Sequence, residues 1–461
     1  MPARAQCRRG VALILVLWVL TVLSAVGLEL SLFTRLRTRV TRNVADNVRT
    51  LFLARAGVER AMADLKRARN EIQALDDLRE GEERLYQGVE LGEGSYTLVA
   101  APAAGAGTEP EYGIADEAAK LNVNTASAEA LAKLPGMDAD LAAEIVALRG
   151  NDGTVADLAD LCAVERLGLL GLYGEDQNGN GLLDPSEDDG DAAWPPDDQD
   201  GVLDPGLAAW LTCCSAARNL AADGRKRANI NKADAATLAS AVSGMTEQQA
   251  QSVVEHRKNA EFENIAGLLD VMLVEEQRQG RSSDQNGGER DRGGRQGRGR
   301  GEGGSSRRGG SSSGSAGGGQ TTFTPTDKRA FSMDEFQSMA DFLTVSEDEV
   351  LRGLVNVNTA PPEVLACLPG MDDETAAAIL DHRLENTFGD IADLLGVAGV
   401  SESKFKELCN LITAKSDVFS VRSFGVLGGA DEAAGIVYCG VAAVIDRTAE
   451  KMAIHSWCEL R

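Results

Sequence analysis

VALILVLWVLTVLSAVGL, residues 11–28, is the stretch on which the fold turns. It holds eighteen residues without a charge. As a helix it spans about 27 Å, close to the thickness of a bilayer's hydrocarbon core. A short basic leader with Arg4, Arg8 and Arg9 precedes it, and the apolar run begins directly after Gly10. No A-x-A site follows, so an ordinary secretory signal peptide fits poorly. The helical pattern runs on past the apolar segment. Leu32, Leu36, Val40, Val44, Val48, Phe52, Ala56 and Arg60 recur at a spacing of four, and Leu51, Val58, Met62 and Leu65 broaden the stripe. Arg35, Arg37, Arg39 and Arg42 flank the far end of the apolar run, so charge alone does not orient it.

The 461 residues suffice for two or three domains, and a 43% apolar content allows real cores. The net charge of −25 argues against a nucleic acid as general partner. Of eight cysteines none forms a C-x-x-C pair. Removal of the leader with Cys7 would leave an odd number, hence at least one free or intermolecular thiol. The sequence has three histidines and no H-E-x-x-H, G-x-S-x-G or phosphate-binding loop, which argues against an enzyme.

Three internal repeats organise the middle of the chain: LNVNTASAEALAKLPGMDADLAAEIVALR (121–149), ANINKADAATLASAVSGMTEQQAQSVVEHR (228–257) and VNVNTAPPEVLACLPGMDDETAAAILDHR (355–383). Each opens on Asn-x-Asn, runs through a first helix to a Gly, and ends a second helix on Arg. Gly136, Gly244 and Gly370 suit left-handed helix ends, and Asp138, Thr246 and Asp372 suit the next N-cap. These are helix-hairpin-helix units. DNA-binding hairpins carry Gly-x-Gly turns whose amides meet phosphate. Carboxylates at the turn repel phosphate, so packing modules without nucleic acid are expected. His256 and His382, at equivalent positions beside Arg257 and Arg383, read as packing residues.

The strongest chemical signal is DQNGNGLLDPSE, residues 176–187. Asp176, Asn178 and Asn180 stand at loop positions one, three and five, and Gly181 takes the sharp turn at six. The Leu182 carbonyl falls at seven, Asp184 at nine, and Glu187 at twelve as a bidentate ligand. That is an EF-hand-type Ca²⁺ loop. Asp198, Asp200 and Asp204 repeat part of the pattern, incompletely, because Pro196 and Leu207 stand at its ends. Eleven acids and no Lys or Arg lie between Glu175 and Asp204, a cluster that repels itself without a cation. One or two Ca²⁺ ions are the expected cofactor.

The stretch 88–103, with Tyr96, Leu98 and Ala100 alternating with Thr97 and Val99, and residues 111–115 read as strands, as do 417–426, 435–447 and 452–460. Strands on both sides of the helical region imply that it is inserted into one sheet. Cys439 and Cys458, on neighbouring strands, form either a disulfide or two buried thiols. From Gln279 to Gln320 the chain is Gly/Arg/Ser-rich and reads as a flexible linker. Ser332 and Glu335 then form a capping box.

A leader ending in Gly, an apolar helix directly behind it and a long amphipathic extension resemble the type IV pilin and pseudopilin superfamily. With the run SYTLVAAP…YGIADEAAKLNVNTA, the helix-hairpin-helix insertion and the closing strands, the chain resembles the K-type minor pseudopilins of the type II secretion system. The resemblance implies an α+β fold: a long N-terminal helix packed on a small antiparallel sheet, with a large inserted all-α domain. It divides the chain into a leader (1–10), transmembrane helix (11–28), helical extension (29–70), first part of the sheet (86–120), helical insertion with two hairpins and the calcium loop (121–278), linker (279–330), third hairpin (331–415) and closing strands (416–461). It implies cleavage after Gly10, with Val11 the methylated new N-terminus, a single-pass inner-membrane anchor and a periplasmic head containing calcium. It also implies a cap on the pseudopilus tip, with I- and J-type minor pseudopilins and the major pseudopilin as partners. Most pilins carry Glu at mature position five, where this chain has Leu15; without that Glu a neighbour's terminal amine is hard to accommodate in an apolar bundle, which favours the tip. The third hairpin and the long linker depart from the family pattern. The rival reading is a membrane-anchored helix-hairpin-helix DNA receptor for competence.

Overall fold

The computed structural model describes residues 8–67, 83–100, 112–149, 154–176, 183, 187–190, 199–204, 206–278, 321–427 and 437–460. Helix α1 runs unbroken from Arg8 to Arg67. Its first half is exposed apolar surface (Leu17 63%, Trp18 67%), and it is long and apolar enough to cross a membrane. Its last four turns lie on a six-stranded antiparallel sheet made of β1 (Val89–Leu91), β2 (Gly94–Val99), β3 (Ala115–Asp116), β4 (Val418–Leu427), β5 (Val437–Asp446) and β6 (Ala453–Leu460). The order is β1-β2-β4-β5-β6, with β3 also on β4. Strand β4 therefore holds together segments from the two ends of the chain.

Ala54, Val58, Ala61 and Leu65 of α1 are buried against Tyr96, Leu98, Phe419, Val421 and Val441. Of the expected stripe, Val58 and Leu65 lie on this buried face, while the row at a strict spacing of four leaves it. Val48 (48%) and Phe52 (61%) are exposed. A spacing of four overshoots the 3.6-residue turn by about 40° at each step, so a strict i+4 row winds around the helix instead of facing one sheet. The close approach is made at Gly425, where a Cβ would collide with the backbone of Thr50 and Ala54.

The helix-hairpin-helix insertion leaves the sheet at Asp116 and returns at Asp417, and beside its helices it holds five two-stranded sheets among the described residues. Both junctions are buried acid hubs. Asp116 accepts from Asn356 (2.8 Å) and Thr359 (2.7 Å). Burial opposes ionisation of Glu117, but Lys120, at 3.0 Å, and Thr212 outweigh it and hold the carboxyl below its usual range. Asp417 accepts from the Arg218 amide at 2.8 Å and lies 3.1 Å from Arg447, which in turn donates to the Leu65 carbonyl of α1.

The three hairpins are built alike. Their Asn-x-Asn strands each pair, in parallel, with a two-residue strand far downstream: Leu121–Asn122 with Leu211–Thr212, Ala228–Asn229 with Leu343–Thr344, and Val355–Asn356 with Ile412–Thr413. The first Asn side chain accepts from the backbone of the second, 2.9–3.1 Å away. The second Asn clamps a distant backbone amide from both sides. Asn358 donates to the Phe388 carbonyl (3.0 Å) and accepts from its N–H (2.9 Å), and Asn231 does the same to Phe262 and Asn124 to Val155. The expected turn chemistry is present: Gly136, Gly244 and Gly370 have φ of 75°, 91° and 65°, and Asp138, Thr246 and Asp372 cap the second helices.

The expected boundary between the second and third units is different. Met272–Arg278 pairs with Thr321–Arg329 as an antiparallel ribbon whose register sets Arg278 opposite Thr321. Residues 321–329 are thus a strand and not the end of a linker. The segment 279–320 leaves and re-enters at one end of this ribbon, inside the second unit. That unit closes only at Leu343–Thr344, after the Ser332-capped helix Met333–Met339. Composition marks the Gly/Arg/Ser-rich segment in the sequence, but not that its two ends lie inside one folding unit.

Candidate functional site

The base of the acidic loop is pinned by two reciprocal hydrogen bonds, one backbone to backbone and one backbone to side chain. The Glu175 N–H donates to the Asp204 carbonyl and the Asp204 N–H to the Glu175 carboxylate, both at 3.1 Å. The Gly201 N–H donates to Asp188 at 3.3 Å. These contacts gather the two partial loop patterns around one neck. Among the expected ligands, Asp176 and Glu187, at positions one and twelve, are 6% and 4% exposed. Asp200 and Asp204 are exposed, and Asp200 accepts from its own turn, the Val202 N–H at 2.7 Å. Asn178, Asn180, Leu182, Asp184 and Asp198 lie outside the described residues. Two buried carboxylates stand at the ends of the loop, and among the described residues no group of three or more His, Cys, Asp or Glu is brought together to hold a metal. The described parts thus separate the complete pattern, with buried ends, from the incomplete one, whose acids face solvent. Asp176 also lies 3.8 Å from Arg422 on β4, so the loop's first position touches the sheet. Arg422 carries no sequence signal, because its neighbour is reached only through the fold.

The hairpin turns are the second candidate site. Asp138 accepts from the Leu141 N–H at 2.8 Å and from Arg166 at 2.6 Å. Asp372 accepts from the Thr375 N–H at 2.8 Å and from Lys404 at 2.9 Å. Arg166 and Lys404 hold these exposed carboxyls below the usual range. The repeat arginines point inward. Arg149 donates to the Val123 carbonyl at 2.6 Å, Arg257 to Ala233 at 2.6 Å and Arg383 to Ala360 at 2.7 Å. Each of these two turns presents a carboxylate already paired with a cation, and the arginines of the motif donate to the hairpins' own carbonyls. His256 stacks on Phe262 (5.1 Å) and His382 on Phe388 (4.8 Å), packing roles as expected.

Of the processing and assembly residues, Gly10 and Val11 lie within α1, and Leu15 is 60% exposed. The Cys439–Cys458 pairing is not formed. Cys458 lies opposite Ala442 and Cys439 opposite Gly425, so the two are out of register and on opposite faces of the sheet. All seven described cysteines are free thiols.

The helix-hairpin-helix motif family model matches residues 116–170 and 224–278. The model of the type II secretion system (T2SS), protein K, matches residues 355–413, which is the third unit from its opening strand to its closing one. "ComE operon protein 1" of Bacillus subtilis (strain 168) is 37% identical over 73 residues, which are 16% of this chain and 36% of that protein's length. The solved GspK-GspI-GspJ complex of enterotoxigenic Escherichia coli aligns over 92% of this chain and 99% of that chain, at 13% identity and a TM-score of 0.29, a likeness too low to carry an argument. The protein K match falls on a unit that is hydrogen-bonded, through Asn356 and Asp116, to a sheet carrying a long N-terminal helix. The third unit is thus similar to the type II secretion system protein K family, and the first two to helix-hairpin-helix motifs.

Proposed function

We propose that this chain is the minor pseudopilin at the tip of the type II secretion pseudopilus, where it helps initiate assembly for export across the outer membrane. The protein K match on the third unit carries the reading. The apolar half of α1 serves first as a single-pass inner-membrane anchor, with the head in the periplasm, and then as the stem that joins sister helices. The partners are I- and J-type minor pseudopilins and the major pseudopilin. Leu15 supports tip placement, since no carboxylate stands there to meet a neighbouring subunit's terminal amine. Asp176 and Glu187 hold Ca²⁺ together with Asn178, Asn180, Leu182 and Asp184, and Asp198, Asp200 and Asp204 supply a weaker second site. The ion neutralises the acidic loop and braces it. Cleavage after Gly10 and methylation of Val11 complete the mature form.

The test is Leu15→Glu expressed in place of the wild type, with immunogold labelling of sheared pseudopili. Wild-type label is expected at filament ends only, and the variant is expected to alter assembly. Wild-type label distributed along filaments as densely as the major subunit would overturn tip placement. The competence-receptor reading is tested separately by filter binding at low salt, where salt-sensitive capture of duplex DNA would favour it.

A further inference from the structure

A cavity of about 220 Å³ opens at the seam between the second and third hairpin units. Leu343, Leu351, Leu354 and Ile412 give it an apolar wall, and Arg227, Asp341, Asp390 and Lys415 give it a charged lining. Asp341 accepts from Arg227 at 2.9 Å and, through the same oxygen, from Lys415 at 3.2 Å, while its other oxygen accepts from the Ala222 N–H. Two cations thus share one carboxylate, and both are largely buried, with side chains 21% and 20% exposed. Lys415 has three N–H donors and spends one on Asp341, its one hydrogen-bond partner among the described residues. Asp390 enters from the third unit. One of its oxygens accepts from the Ala392 N–H at 2.6 Å, and the other has no hydrogen bond among the described residues. Burial raises this carboxyl to about 6, with Asp393 and Asp341 adding to the rise and Arg227 opposing it. Burial lowers the pKa of Lys415, and Asp341 works against that. Below pH 6 the four lining groups therefore carry one net positive charge, and a buried charge without a counter-ion is costly.

We propose that this cavity is a binding site for a small aliphatic monocarboxylate, held by Lys415 at its carboxylate and by Leu343, Leu351, Leu354 and Ile412 along its body. Size and chemistry set the class together. An apolar cavity of about 150 Å³ takes a benzene-sized guest, so this one takes roughly six to nine heavy atoms. A bare inorganic anion would leave the apolar wall uncovered, and a hydrocarbon would leave the positive charge unmet. A short branched carboxylate meets both demands, and its charge-assisted hydrogen bond uses donors that the Asp341 pair leaves over. Asp390 makes the site sensitive to pH. Its ionisation adds a second carboxylate charge to the lining, so affinity falls as the pH rises through about 6. A guest in this place touches residues of both units and ties the seam between them.

The experiment titrates the full chain in detergent micelles with sodium 4-methylpentanoate by calorimetry, at about pH 5.5 and about pH 7.5, where the carboxylate is largely ionised. Saturable binding at millimolar concentration is expected, tighter at the lower pH. The amide 4-methylpentanamide has the same shape without the charge and should bind about ten- to a hundredfold more weakly, the loss of one hydrogen bond to a charged group. Lys415→Met should weaken the carboxylate by the same factor, and Lys415→Arg should hold it close to wild type. Leu354→Phe keeps every charge, narrows the cavity and should also weaken binding, so the inference stays testable should Lys415→Met fail to fold. Any one of three results overturns it: no saturable binding to the wild type, an amide bound as tightly as the carboxylate, or undiminished binding in a folded Lys415→Met or Leu354→Phe.

Discussion

The second and third hairpin units have the same parts and reach closure by different routes. The third goes from its opening strand Val355–Asn356 to its closing strand Ile412–Thr413 without interruption. The second opens at Ala228–Asn229 and closes at Leu343–Thr344, with the ribbon and the segment 279–320 inside it. Both use an Asn clamp on a Phe backbone, an Arg plugged into carbonyls of the turn before the first helix, and a His stacked on that same Phe. The unit is therefore defined by its polar clamps and its short parallel strands, not by contiguity in sequence. Loop-closure cost rises only with the logarithm of length, so a clamped unit tolerates a long excursion.

If the clamp defines the unit, removing it should cost the same with and without the excursion. Asn358→Ala deprives the buried Phe388 amide of its acceptor and two carbonyls, of Phe388 and Ala414, of their donor. Each unsatisfied buried group costs about 1–3 kcal/mol, so the expected loss is about 3 kcal/mol. Asn231→Ala removes the same pair from Phe262 and should cost about 2–3 kcal/mol. Urea denaturation of the two variants checks this. A second unit much less sensitive than the third would mean that its ribbon, not its clamp, holds it together.

Much of this architecture is legible in the sequence. Repeats, turn glycines, N-caps and the capping box of Ser332 are local patterns, and the structure shows them where they were expected. What escaped depends on contacts across long separations. Two-residue strands carry too little pattern to announce themselves, so the closure of the second unit at Leu343 was invisible. The two arms of the ribbon, flanking a Gly-rich run, gave no sign of pairing. Arg422 is one arginine among many until the fold sets Asp176 beside it. The buried face of α1 was misjudged because a spacing of four is close to, but not equal to, the helical turn. For the acidic loop, the spacing of its oxygen-bearing residues is legible, and the structure adds the burial of Asp176 and Glu187.

A second test exploits a natural substitution between units. The short helix after each hairpin is capped by Asn264 in the second unit and by Asp390 in the third. Asp390 is half-buried, and burial pushes its carboxyl up from 3.8 to about 6. A raised folded-state value means that the neutral form is favoured in the native state. The associated stability is full below about pH 4 and is lost as the pH rises through 6. Asp390→Asn gives the third unit the second unit's cap and removes the titration. Its stability relative to wild type should therefore rise between pH 4 and 7, by at most about 3 kcal/mol. Melting curves across that range check it, and a parallel pH profile for the two proteins would remove Asp390 from the account.

The smallest effect is expected from the largest change. Replacing residues 281–318 by a two-residue Asn-Gly turn would shorten the excursion to little more than the ribbon itself. Arg278 and Thr321 already face each other, so the strands need no rearrangement to be joined. Each halving of loop length recovers only about 0.6 kcal/mol, and the contacts of Val274 with Gln248 and Ser252 that seat the ribbon are untouched. Stability in urea should therefore move by about 2 kcal/mol at most, upward, over roughly three halvings. A clear loss of stability would show that the excised segment packs on the head, and that the second unit differs from the third by more than an interruption.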